Sequence, residues 1–403
     1  MKDKTSFRQD ILSHDWVVVG AFTLVMAGFY GAEICFSVFL KPLIAEFGWT
    51  RAGVSGSVST VEGIAGLFGI LMGTLTDKYG ARILIAIGGI LGGLGYLLMS
   101  QVSSLWQLYL YFGVMVGMCL AGCWTPIMAT VSRLFVGKRI LALGIATSGI
   151  TIGSMIMPPL TAYFIASYGW RPAYLLLAAI VCISAIPGVM LLGRNPPQDS
   201  GTRDNGQSIK GGELSGELTQ PREHLALESV KTMPFWMLMV IGFATAAVFY
   251  FVATHIVAYA TDMGIAPTSA ALILTFMGAG NILGKLLVWP IATKIGSRSA
   301  LFVLLILQTF FLFLIMRTTS LWKLFALGSI FGFGYGGSSP LRTAMVPEFF
   351  GMKSVGAIIG LTGIAWGIGG ITGPFLAGYV FDQSGSYNFA FFYGGLIMII
   401  GMA

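Results

Sequence analysis

Lys285 stands inside the apolar run 269–292, with Asn281 four residues before it and Gly278, Gly280 and Gly284 close by. In a helix that spacing stacks the amine and the amide on one face, a turn apart. The glycines leave room beside them. A fixed cation with an adjacent amide donor, lined by small residues, is suited to a carboxylate. The alternative is a structural bridge from Lys285 to Glu33 or Glu62, which lie in other apolar runs. An ionisable side chain at mid-membrane costs about 2.5–3.5 kcal/mol on insertion scales, so it faces a cavity or a partner.

His255 lies near the end of the run 234–259, shortly before Asp262. It is a candidate for titration near neutral pH, for gating entry and contacting the solute, or for a plain interfacial hydrogen bond. Glu33 and Glu62 are candidates to carry a coupled proton, although either could lie close to the outer interface. Arg342 follows Pro340 by two residues and is expected to pair with Glu348 as an inner gate. Tyr30, Trp124, Tyr335 and Trp366 are aromatics within spans, suited to lining the cavity or to ordinary packing. Cys119 and Cys123 are one turn apart, but no His or carboxylate completes a metal set. With Cys35 and Cys182 they read as small packed residues. No nucleophile–base pair appears, so neither an enzyme nor a cofactor is expected.

The elements that must position these groups are membrane helices. Of 403 residues, 56% are hydrophobic and 10% charged, whereas soluble domains carry about 25% charged residues. The net charge of +7 does not indicate nucleic acid, because the basic residues are spread over short loops without stacking aromatics beside them. Spanning hydrocarbon takes about 20 apolar residues. Runs of that kind fall at 16–40, 54–75, 83–99, 105–129, 140–166, 173–192, 234–259, 269–292, 300–316, 321–345, 355–381 and 387–403. The polar, Gly-rich stretch between the sixth and seventh reads as a linker. The expected divisions are therefore 1–193 as a first six-helix bundle, 194–233 as a cytoplasmic linker and 234–403 as a second bundle. The start, 1–15, is charged and lacks a signal peptide's apolar core. The last run is short and ends with the sequence, so the natural chain is expected to extend further.

With the N-terminus in the cytoplasm, 16 Lys and Arg residues fall on the inner side and 5 on the outer, and Lys285 and Arg342 lie inside helices. That bias is the expected one. Gly73-Thr-Leu-Thr-Asp77-Lys78-Tyr-Gly80-Ala-Arg82 closes the second run, and Lys78, Gly80 and Arg82 recur as Lys294, Gly296 and Arg298. Ser104-Leu105-Trp106 recurs as Ser320-Leu321-Trp322, Thr125-Pro126 is echoed by Ser339-Pro340, and Gly149/Gly153 by Gly363/Gly367. Islands repeated in one order mark duplicated halves, a construction found in secondary carriers. Asp77 beside Lys78 and Arg82, with Gly80 in the turn and Gly73 before it, could clamp helix ends, or could be a tight turn that obeys the charge rule. The small-x-x-x-small motifs, followed by Pro158, Pro159 and Pro374, predict close helix packing.

The loop 73–82 resembles the signature of the major facilitator superfamily, and the likeness covers essentially the whole chain. The stretches 39–51, 168–171 and 255–265 resemble the monocarboxylate transporter and oxalate–formate antiporter group within it. The resemblance implies an all-α membrane protein of twelve transmembrane helices in two pseudo-symmetric six-helix bundles, the major facilitator fold. It implies alternating access and proton-linked transport of lactate- or pyruvate-like monocarboxylates, with anion exchange or efflux of another solute as alternatives. In that group an arginine after a glycine in the eighth helix holds the carboxylate, and here Gly284 is followed by Lys285. Animal members often carry an acid one turn earlier, where this chain has Asn281. The expected partners are a small monocarboxylate anion, a proton and the lipid bilayer, with no nucleic acid. The expected state is a monomer in the cytoplasmic membrane.

Overall fold

In hydrocarbon every backbone N–H and C=O needs an internal partner, and a helix supplies one within a single segment. The computed structural model describes residues 14–135, 139–191, 229–350 and 355–402. Most of the expected linker, the first thirteen residues and Ala403 lie outside these. Among the described residues the chain is helical, without strands. Helix α1 runs His14–Ile34 and continues as Phe36–Phe47. It is followed by α2 (Arg51–Tyr79), α3 (Ala81–Met99), α4 (Leu105–Leu108, Tyr109–Val116 and Gly117–Leu134), α5 (Arg139–Tyr168) and α6 (Trp170–Leu191). The second half is α7 (Met233–Asp262), α8 (Pro267–Ile295), α9 (Ser297–Ile315), α10 (Leu321–Phe350), α11 (Val355–Ser384) and α12 (Tyr387–Met402).

Nine of these helices are long and apolar enough to cross a membrane among the described residues, and α12 is a shorter apolar one. Helices α2 and α10 match the nine in length but fall short of them in hydropathy. Leu67, Met190, Trp289 and Trp322 are 71–75% exposed, an outward apolar surface that only lipid would solvate. Helix ends project past the apolar runs, so Lys41, Arg51, Lys78 and Lys294 sit within helices rather than loops. Hydrocarbon sets where charge becomes tolerable, and the backbone continues the helix beyond that point.

Helices alternate between two ends of the bundle, here called the Gly48 end and the Gly80 end. Among the described residues six glycines take positive φ, and they turn the chain between helices where other residues would be strained. Gly48, Gly80 and Gly169 recur as Gly264, Gly296 and Gly385, each 216 residues later. The duplication thus reaches the turns.

It does not reach the packing motif in the register expected. A side chain on Gly149 or Gly153 would strike the carbonyls of Thr23 and Ala27, which holds α5 tight against α1. The matching contacts in the second half are Gly369 on Phe243 and Gly373 on Ala247, 220 residues on. Gly363 and Gly367, the echo read from sequence, have nothing within 4 Å of an added side chain. The run 363–373 holds several small-x-x-x-small registers, and only the partner helix selects one. In α4 the segment Tyr109–Val116 is a π-helix, a widened turn that often marks functional positions.

Candidate functional site

Thr50 starts α2 as an N-cap, its Oγ1 accepting from the Gly53 N–H at 3.0 Å. The two preceding donors are taken by the other half of the molecule. Arg51 N and Ala52 N donate to the carboxylate of Asp382 on α11 at 2.9 and 2.8 Å. The Arg51 guanidinium lies 3.6 Å over the Phe381 ring, donates to the Tyr387 hydroxyl at 2.7 Å, and pairs with Asp262 at 2.8 Å. Lys41 joins the same Asp262 at 2.7 Å. Two cations of the first half thus share one carboxylate of the second, and a second carboxylate holds the main chain. Below them Ser55 Oγ donates to the Pro374 carbonyl at 3.0 Å. The Gly48 end is closed.

Towards the Gly80 end the structure is more open. Gly66 on α2, Gly144 on α5, and Gly363 and Gly367 on α11 face open space, with nothing within 4 Å of an added side chain. Between the closed end and the open one lie the polar groups of the interior. Asn281 is buried, and its Oδ1 receives Thr151 Oγ1 of α5 at 3.5 Å. Lys285 Nζ reaches the same Thr151 hydroxyl at 3.5 Å. No ion pair to Lys285 occurs among the described residues. The expected face of amine and amide therefore forms, it points at the opposite half, and its cation has no ion-pair partner among the described residues.

Across this space Glu62 on α2 meets Tyr250 on α7 and Gly370 on α11. The Tyr250 hydroxyl is directed at the Glu62 carboxyl, and a side chain at Gly370 would crowd Glu62 at 3.2 Å. Glu33 is buried and shares a cavity of about 10 Å³ with Ser37, Val58, Tyr250 and Thr254, roughly the room one water needs. Both acids therefore lie inside the bundle, and neither pairs with Lys285 among the described residues. Trp124 meets Tyr30 edge-on at 6.2 Å. Tyr335 stacks on Phe249 at 4.0 Å and lies 6.0 Å from Trp366.

Two expected roles change. His255 is fully buried, its Nε2 donating to the Pro374 carbonyl at 2.9 Å and its Nδ1 accepting from Tyr387 at 2.8 Å. Both nitrogens are used in the closure, so His255 offers none to a solute in this state. Arg342 does not pair with Glu348, which instead accepts from Ser297 at 2.9 Å. The guanidinium lies over Trp366, 5.0 Å from the ring centre. Of the expected clamp, Gly80 makes its turn at φ 80°, Gly73 packs near Thr125, Lys78 lies 5.1 Å over Tyr79, and Arg82 is exposed. The Asp77 side chain lies outside the described residues. Thr151, Tyr250 and the closure formed by Arg51, Asp262 and Asp382 are absent from the sequence reading. A threonine between two packing glycines and a loop-edge arginine carry no distinguishing signal before the halves are brought together.

Two halves joined by ionic contacts at one end, with an interior cation that has no ion pair among the described residues, are a frame suited to a membrane carrier. The profile of the Major Facilitator Superfamily matches residues 21–266 and 238–403, and the chain belongs to that superfamily. Monocarboxylate transporter 13 of Bos taurus is 29% identical over 96% of this chain and 87% of its own length. Monocarboxylate transporter 2 of Homo sapiens is 26% identical over 95% and 83%. Among solved structures, a bacterial homolog of the human lysosomal transporter Spinster, in an inward-facing and unoccupied conformation, superposes with a TM-score of 0.70. It is 16% identical and covers 97% of this chain and 94% of its own. The nucleoside transporter NupG gives 0.72 at 11% identity, covering 97% and 98%. Those two establish the fold alone. The chain is a multi-pass membrane transporter, not an enzyme.

Proposed function

We propose that this chain carries small monocarboxylates of the lactate and pyruvate kind across the cytoplasmic membrane together with a proton, as a monomer with its N-terminus inside. The Gly80 end is then cytoplasmic, and the state described is the inward-open one. The observation that carries this reading is the unneutralised Lys285 amine beside Asn281 and Thr151, where the two halves meet. An anion satisfies that cation in either orientation of the halves. Tyr30, Trp124, Tyr335 and Trp366 supply apolar walls for the solute's carbon chain.

Glu33 and Glu62 support proton coupling, since both lie within the bundle and Tyr250 ties Glu62 to the opposite half. Asn281, where the resembled transporters often carry an acid, favours a second reading, exchange of one organic anion for another without a proton. Uptake of labelled lactate into proteoliposomes separates the two. Accumulation driven by an inward proton gradient supports symport, and uptake only against preloaded anion supports exchange. Uptake of neither lactate nor pyruvate under either condition rejects the carboxylate reading.

A further inference from the structure

Arg342 is the intramembrane cation that this site leaves over. It lies on α10 with its guanidinium over Trp366, and Trp366 lies 6.3 Å from Tyr250, which faces Glu62 of the first half. That succession of contacts places Arg342 on the wall between the halves and not on the lipid face. Its Nε is buried without a hydrogen-bond partner, and no ion pair to it occurs among the described residues. A buried donor on a charged group is costly to leave unmade, which suits an acceptor that arrives and departs. Trp366 holds the guanidinium by its flat face. The edge, a rigid fork of donors matched to a carboxylate, is a shape that the Lys285 ammonium does not have. Arg342 also lies nearer the open end, because Gly337, five residues before it, packs beside Gly284 next to Lys285.

We propose that Arg342 is a second carboxylate anchor, which takes the solute's carboxylate in a two-pronged pair on the Gly80 side of Lys285 as it moves to or from the open end. The proposal rests on the monocarboxylate reading and adds to it the residue that recognises the planar head. The test is equilibrium binding of labelled lactate to the purified full chain. Arg342→Gln is expected to weaken binding about 10- to 100-fold, the loss of charge-assisted hydrogen bonds. Arg342→Lys is expected to restore only part, because charge returns without the fork. Mass spectrometry of the wild-type chain treated with phenylglyoxal reads Arg342 directly. Saturating lactate is expected to slow its modification severalfold, and this measurement decides the matter where a variant does not fold. Wild-type affinity in Arg342→Gln, or modification indifferent to lactate, overturns the second anchor and leaves Lys285 standing. A wild-type chain that binds neither lactate nor pyruvate overturns both readings together.

Discussion

A lysine kept inside a membrane helix without a counter-ion is stabilised only when something else supplies the charge. If that is the solute, removing the amine removes binding while the helix keeps its packing, because Gly280 and Gly284 rather than Lys285 hold α8 against α10. Lys285→Ala is expected to abolish lactate binding by scintillation proximity and to leave the melting temperature of the purified chain within a few degrees; unchanged binding removes the anchor. Glu62→Gln is expected to end gradient-driven accumulation in proteoliposomes and to spare lactate exchange, because it deletes a proton carrier and not the anion's cation. At this scale the sequence was legible where chemistry is rare. A lysine in an apolar run stands out, and Lys285 with Asn281 came together as expected. Thr151 did not stand out, because nothing local separates a hydroxyl that bridges halves from one that bonds its own helix. Arg342 stood out in the same way, but its partner did not, since spacing along α10 favoured Glu348 and packing against α11 chose Trp366.

Between helices, glycine position decides how near two backbones approach. Gly149→Ala is expected to lower the melting temperature, because its added methyl meets the Thr23 carbonyl, while Gly363→Ala, with open space around it, is expected to leave it unchanged or raise it. Alanine is favoured over glycine by about 1 kcal/mol in a helix when nothing clashes. Equal effects at the two sites would contradict the packing register. Spans, their order and the glycine turns at 80 and 296 were all readable from hydropathy and repeats, since each is a local property. The register of α11 on α7 was not, because five glycines between 363 and 373 serve several faces equally well. The closure at the Gly48 end belongs here too. Asp382→Asn removes a charged acceptor from the start of α2, a loss of about 1 kcal/mol for a cap, or about fivefold in population. With Ser55→Cys as a reporter in both backgrounds, thiol labelling from that side is expected to rise by that factor, and no rise would mean the closure is held elsewhere.

For the molecule as a whole, the proposed transport by alternating access ties the ionic contacts at one end to the open glycines at the other, because halves that rock about a central site must close one end to open the other. The carboxylate of Asp382 is part of that seesaw in an unusual way, since it is bonded to main chain across the divide. When the halves separate there, the amides of Arg51 and Ala52 lose their acceptor and meet bulk water. Deuterium uptake at those two positions should therefore run slow while the transporter faces one way and fast while it faces the other. The backbone itself, without any attached probe, would record the orientation of every molecule in the sample.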